Sequence, residues 1–133
     1  MQNNLLDLLP RFVMRDGTVV LPEMIDEICP PLGELMWTEP GKQYCGDFDD
    51  SDCRQDRQAP FRDKHGNRVF ERDVANYGGL TAGIIKYDAI DDWTIRFDDG
   101  QVFRLGYGRL EVTGMIPYDP VWRGGNTKKR LVI

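Results

Sequence analysis

The stretch Trp93-Thr94-Ile95-Arg96-Phe97-Asp98-Asp99-Gly100-Gln101-Val102-Phe103-Arg104-Leu105 decides how this chain folds. Trp93, Ile95 and Phe97 alternate with Thr94 and Arg96, the period of two that turns one face of a strand to a core and the other to water. Asp98-Asp99-Gly100-Gln101 supplies an Asp-Gly turn of the kind favoured in tight hairpins, and Val102 to Leu105 returns beside the first run. Upstream, His65-Gly66-Asn67 forms a turn before Val69-Phe70, Val74-Ala75 follows, and Gly78-Gly79 leads to Gly83-Ile84-Ile85-Lys86-Tyr87. Downstream, Gly106-Tyr107-Gly108-Arg109 crosses to Leu110-Glu111-Val112-Thr113. Four or five short strands with narrow turns predict a curled antiparallel sheet, and closing it on itself would protect its backbone edges.

The first half reads differently. Asn3 or Asn4 can cap a short helix through Leu5, Leu6, Leu8 and Leu9 that Pro10 ends. Phe12-Val13-Met14 and Val19-Val20-Leu21 flank Arg15-Asp16-Gly17-Thr18 as a hairpin. Pro22 opens a brief helix with Met24, Ile25 and Ile28 on one side, stopped by Pro30-Pro31. Glu34 to Thr38 reads as a strand ending at Pro40-Gly41. From Lys42 to Pro60 acids dominate, large apolar side chains are few and no period is sustained, so the segment reads as a solvated loop that holds the main boundary. The expected organisation is an α+β N-terminal extension over 1–59, a small mainly β unit over 60–116 and a basic C-terminal extension over 117–133.

Bulk properties narrow the function classes. With 133 residues, 41% hydrophobic and 29% charged, the chain has the size and composition of one globular body. No apolar run approaches the ~20 residues that cross a bilayer, and Asp7 interrupts the first residues before a signal-peptide core can form, so the expected setting is the cytoplasm, with no membrane partner. Three cysteines without a CxxC pair predict reduced thiols and neither a disulfide framework nor a zinc knuckle. The net charge of −5 hides an asymmetry: residues 1–59 carry twelve acids against five bases, residues 60–133 ten against twelve, and the basic excess of the second part lies in the last eighteen residues. An overall basic footprint for nucleic acid is missing.

Asp63-Lys64-His65-Gly66-Asn67-Arg68-Val69-Phe70-Glu71-Arg72-Asp73-Val74, followed by Gly83-Ile84-Ile85-Lys86-Tyr87, resembles the signature region of the YopX family of small phage and prophage proteins. The resemblance covers roughly residues 60–87, with His65 where that family commonly has Asn and Arg72 where it commonly has Gly. It implies an SH3-like antiparallel barrel in the C-terminal half, a phage or prophage origin with a bacterial host, and assembly into homo-oligomers.

No catalytic constellation stands out. His65 is the sole histidine and reads as a turn residue, with general-base or metal roles as alternatives that no second histidine supports. Glu71 and Asp73 read as turn support rather than a hydrolytic dyad. Asp47-Phe48-Asp49-Asp50-Ser51-Asp52 resembles the start of a calcium loop but has Asp52 where glycine belongs and Gln58 where the closing glutamate belongs. A phosphate loop and a dinucleotide fingerprint are both missing, so no cofactor is expected. The candidate partner-binding residues are therefore the acids Asp47, Asp49, Asp50 and Asp52, the pair Tyr107 and Arg109, and the tail residues Trp122, Arg123, Lys128, Lys129 and Arg130. Leu131-Val132-Ile133 adds an apolar edge that could dock on a neighbouring subunit. The leading expectation is a non-enzymatic phage or prophage accessory protein that binds a host or viral protein as an oligomer, modulation of host defence included. The alternative is a nucleic-acid-binding small barrel, with Arg104, Arg109, Arg123 and residues 128–130 on phosphates and Tyr107 or Trp122 stacked on a base.

Overall fold

Backbone pairing organises nearly everything the computed structural model describes, namely residues 5–29, 33–47, 53–105, 108–118 and 130–131. In chain order the strands are β1 (Arg11–Met14), β2 (Val19–Val20), β3 (Ile25–Cys29), β4 (Glu34–Glu39), β5 (Lys42–Asp47), β6 (Cys53–Asp56), β7 (Gln58–Arg62), β8 (Arg68–Phe70), β9 (Asp73–Tyr77), β10 (Leu80–Asp88), β11 (Asp92–Arg96), β12 (Val102–Arg104), β13 (Leu110–Met115) and β14 (Arg130–Leu131). Two single 3-10 turns, Leu5–Leu8 and Pro22–Met24, are the helical pieces among the described residues. The chain divides into two units: residues 1–56 with 117–133, and residues 57–116.

The first unit corrects two expectations. The predicted α+β extension has no α-helix among its described residues. Ile25 and Ile28 sit three apart, which imitates a helix face, but a bulge in β3 lets Ile25 pair with Trp37 and Ile28 with Leu35. The extra residue puts both isoleucines against the buried Leu35 and Trp37. The predicted loop over 42–60 is mostly strand: β5 pairs with β4 along its whole length, β6 pairs with β1, and β7 follows. Composition misleads here because Gly46 serves packing, a Cβ at this position coming within 3.1 Å of Met14 Cε and 3.2 Å of Trp37 Cη2. Arg130-Leu131 pairs with β5 in the same chain, opposite Cys45 and Tyr44, and is the outer strand of that sheet.

In the second unit five strands run in the order β12-β11-β10-β9-β13, and β7-β8 form a separate hairpin. This overturns the closed SH3-like barrel: β12 and β13 are the two ends of an open sheet and do not pair with each other. Closure is replaced by layering. Ala59 and Val69 of the hairpin pack with Ala75, Ile85, Trp93, Ile95 and Leu110 of the sheet in one apolar cluster, so the sheet face is covered by side chains and not by a continuous ladder. Trp93 and Ile95 point into this core as the alternation predicts, at 6% and 0% exposure.

Gly83 fixes how closely β10 approaches β11. A Cβ there would lie 2.6 Å from Ile95 Cγ1 and 2.7 Å from Phe97 Cε1, both parts of the packed interior. Gly83→Ala should therefore overpack the sheet and cost about 1–3 kcal/mol, read as a lower urea midpoint with an unchanged m-value.

Three hairpins share one turn geometry. At 14–18, 63–67 and 97–101 the first residue donates its N–H to the fifth residue's C=O and accepts the fourth's N–H, and that fourth residue is Gly17, Gly66 or Gly100 with φ of +92°, +83° or +88°. The result is a three-residue loop with a bulge, in place of the tighter two-residue turn that Asp-Gly suggested. Asp16 and Asp99 fasten the first and third turns by accepting the N–H two residues on. His65 occupies the equivalent place in the second, and there Asp63 does the fastening.

Candidate functional site

The β11–β12 hairpin gives the second unit its most exposed apolar edge. Its register sets Thr94 opposite Arg104, Ile95 opposite Phe103 and Arg96 opposite Val102. Phe97 N–H to Gln101 C=O and Leu105 N–H to Trp93 C=O, at 2.9 and 3.1 Å, bracket these pairs. Hydrogen bonding alternates along an antiparallel ladder, so Phe103 turns its backbone groups inward to β11 while Val102 and Arg104 turn theirs outward. The Tyr77 hydroxyl donates to Arg104 C=O at 3.2 Å. Among the described residues no strand pairs with this outer edge.

Side chains on β12 split between two faces. Phe103, 36% exposed, lies on the same face as Ile95, with its ring 6.1 Å from Tyr77 and 6.1 Å from Phe97. Val102, 50% exposed, and Arg104 lie on the opposite face with Arg96 and Thr94. The ladder continues this opposite face onto β10, where Lys86 pairs with Thr94 and Ile84 with Arg96. Lys86, Arg96 and Arg104 thus share one sheet face, each exposed around the buried Thr94 and none of them in an ion pair among the described residues. Asp88 lies near this face, its carboxyl held below the ordinary value of 3.8 chiefly by the Asp91 and Ile90 N–H groups, against burial, with the charges of Arg96 and Lys86 adding less.

The other polar groups serve architecture. Asp63 is 6% exposed and accepts from His65 N–H, Asn67 N–H, the Asn67 amide and Val112 N–H. Burial alone would raise its pKa; these bonds, Val112 first, outweigh it and leave the pKa lowered. His65 Nε2 meets Glu111 Oε2 at 3.0 Å, and the other Glu111 oxygen accepts from the Asn76 amide. The His65 bond, the Asn76 bond and the Lys64 charge together lower the Glu111 pKa. Glu71 accepts from Arg57 N–H, and buried Asp73 accepts from Phe70 N–H. Among the described residues no group of three His, Cys, Asp or Glu side chains could hold a metal ion.

No family model, curated protein or solved structure matches the chain. The phage origin implied by the YopX-like resemblance and the host–virus role of the leading expectation find no support there, and both are dropped from the functional reading along with the barrel.

Of the sequence-predicted partner residues, Arg109 is exposed at the start of the crossing into β13. Asp47 and Arg130 lie in the backbones of neighbouring strands β5 and β14 of one chain. Asp49, Asp50, Asp52, Tyr107, Trp122, Arg123, Lys128 and Lys129 lie outside the described residues. Sequence reasoning placed Arg104 only in the nucleic-acid alternative and missed Lys86, Arg96, Val102 and Phe103 as one surface. The signal was present in the alternation of Trp93 to Phe97: once Ile95 faces inward, Arg96 and its cross-strand neighbours face out. Among the described residues no helix is long and apolar enough to cross a membrane.

Proposed function

We propose that the chain is a protein-binding module whose second unit takes an extended segment of a partner protein as an added strand along β12, in a cytoplasmic setting that suits its three free cysteines. The observation that carries this reading is the two-faced edge. Phe103 with Tyr77 and Phe97 offers apolar contact on one side, and Arg104 with Arg96 and Lys86 offers positive charge on the other. Successive side chains of an added strand fall on opposite faces. A segment that alternates acidic and apolar residues would meet both surfaces while its backbone pairs with Val102 and Arg104. A single-stranded nucleic acid that stacks a base and places its phosphate on one face would find the aromatics and the cations on opposite faces, which favours the peptide.

The test is fluorescence anisotropy with a labelled Glu-Val-Glu-Val-Glu peptide, the same residues in blocked order, and single-stranded DNA. The alternating peptide should bind more tightly than the blocked one. Val102→Pro removes an outward N–H and no ladder bond, so it should leave the fold intact and weaken the peptide about tenfold or more. Preferential DNA binding with steep salt dependence, unchanged in Val102→Pro, would replace this reading by the nucleic-acid one.

A further inference from the structure

A second surface of the same unit has the makings of a small-molecule site; it shares Lys86 with the positive face beside β12 and adds the turn between β8 and β9. The turn between β8 and β9 and the middle of β10 enclose a groove of about 290 Å³, lined by Glu71, Arg72, Ile84, Ile85 and Lys86. That volume is near the lower end of ligand sites and suits a compact molecule. Ile84 supplies apolar surface, while the Ile85 side chain turns into the core at 1% exposure. Arg72 and Lys86 supply positive charge, and Glu71 has one carboxylate oxygen committed to Arg57 N–H. Arg96 stands across the ladder from Ile84 and adds to the positive field.

Arg72 holds φ at +67°, a left-handed conformation that a Cβ makes costly. The fold imposes this geometry from both sides: Arg72 N–H donates to Ile85 C=O, and Arg72 C=O accepts from Ile116 N–H, each at 2.8 Å. Glycine would satisfy both bonds without the strain. Arginine adds a guanidinium at the wall of the groove; Ala82 and Asp92 hold similar angles away from it, so the placement of the guanidinium and not the strain alone points toward function.

We propose that this groove binds a small organic anion, its phosphate or carboxylate held by Arg72 and Lys86 and its apolar body laid on Ile84. The test titrates phenyl phosphate, benzoate and benzyl alcohol into the full chain while following the backbone amide resonances of Ile84, Ile85 and Lys86. Saturable shifts with phenyl phosphate or benzoate but not with benzyl alcohol are expected, and the tighter of the two anions identifies the preferred head group. Lys86→Gln should weaken that anion about tenfold, the loss of one charge-assisted contact. Arg72→Gly should weaken it by at least as much while the melting temperature holds or rises, a combination that a purely architectural arginine would not give. Absence of saturation with either anion, or unchanged affinity in both variants, overturns the proposal.

Discussion

Asp56→Ala is expected to cost the first unit about 3–5 kcal/mol, a large share of the roughly 5–15 kcal/mol that holds an ordinary domain folded. Asp56 is fully buried on β6, opposite Arg11 of β1. Its Oδ2 accepts from Arg11 Nε at 3.0 Å, from the Arg11 terminal nitrogen at 2.6 Å and from Arg54 at 3.0 Å, while Oδ1 accepts from Arg54 Nε at 2.9 Å. Arg54 also donates to Pro117 C=O, tying β6 to the segment where the chain returns to this unit. Removing the carboxylate leaves Arg11, 5% exposed, with its charge buried and its chief partner gone. Hydrogen exchange should show protection lost across β1 and β6. Replacing Arg11, Asp56 and Arg54 together with Met, Leu and Met should recover most of the loss, because breaking a buried charge cluster is far worse than substituting apolar groups for all of it.

The second large effect is at Asp63. Asp63→Ala leaves the N–H groups of His65, Asn67 and Val112 without their acceptor, and at about 1–3 kcal/mol for a buried donor left unmet the total should reach about 3 kcal/mol. The bond to Val112 makes this more than a turn defect, since it joins the β7–β8 turn to β13. Acid titration supplies an independent check. The folded pKa of Asp63 lies below its ordinary 3.8, so the stabilisation is complete above that value and disappears as pH falls through the depressed folded value. The stability gap between the native chain and Asp63→Asn should accordingly be widest above pH 3.8 and narrow at lower pH. A gap independent of pH would assign the aspartate a steric role only.

These two carboxylates show where sequence reading succeeds and where it stops. The strands between 60 and 116 are legible because Trp93, Ile95 and Phe97 alternate cleanly and glycines mark the turns. Openness of the sheet is not legible, because closure depends on which edges meet and not on strand content. The bulge at 25–28 converts a strand into an apparent helix period, and an acid-rich composition hides that β5 and β6 are paired. Asp56 looks like one more acid in a charged run, and its two arginines become visible only through a register that brings in Arg11 from 45 residues away. Asp63 sits in a recognisable turn, but its contact with Val112 is tertiary. The candidate edge was half legible: Arg104 and the strand were seen, while the division of Phe103 and Arg104 between faces required the pairing with β11.

Division of the chain has a consequence for biosynthesis. The second unit is continuous from 57 to 116, whereas the first is interrupted by it and gains β14 only from residues 130–131. A ribosome therefore delivers the whole of the inserted unit before the last strand of the enclosing one exists. On the nascent polypeptide the β5 edge is exposed during that interval, so the enclosing unit reaches its final form only after its insert has already been free to fold.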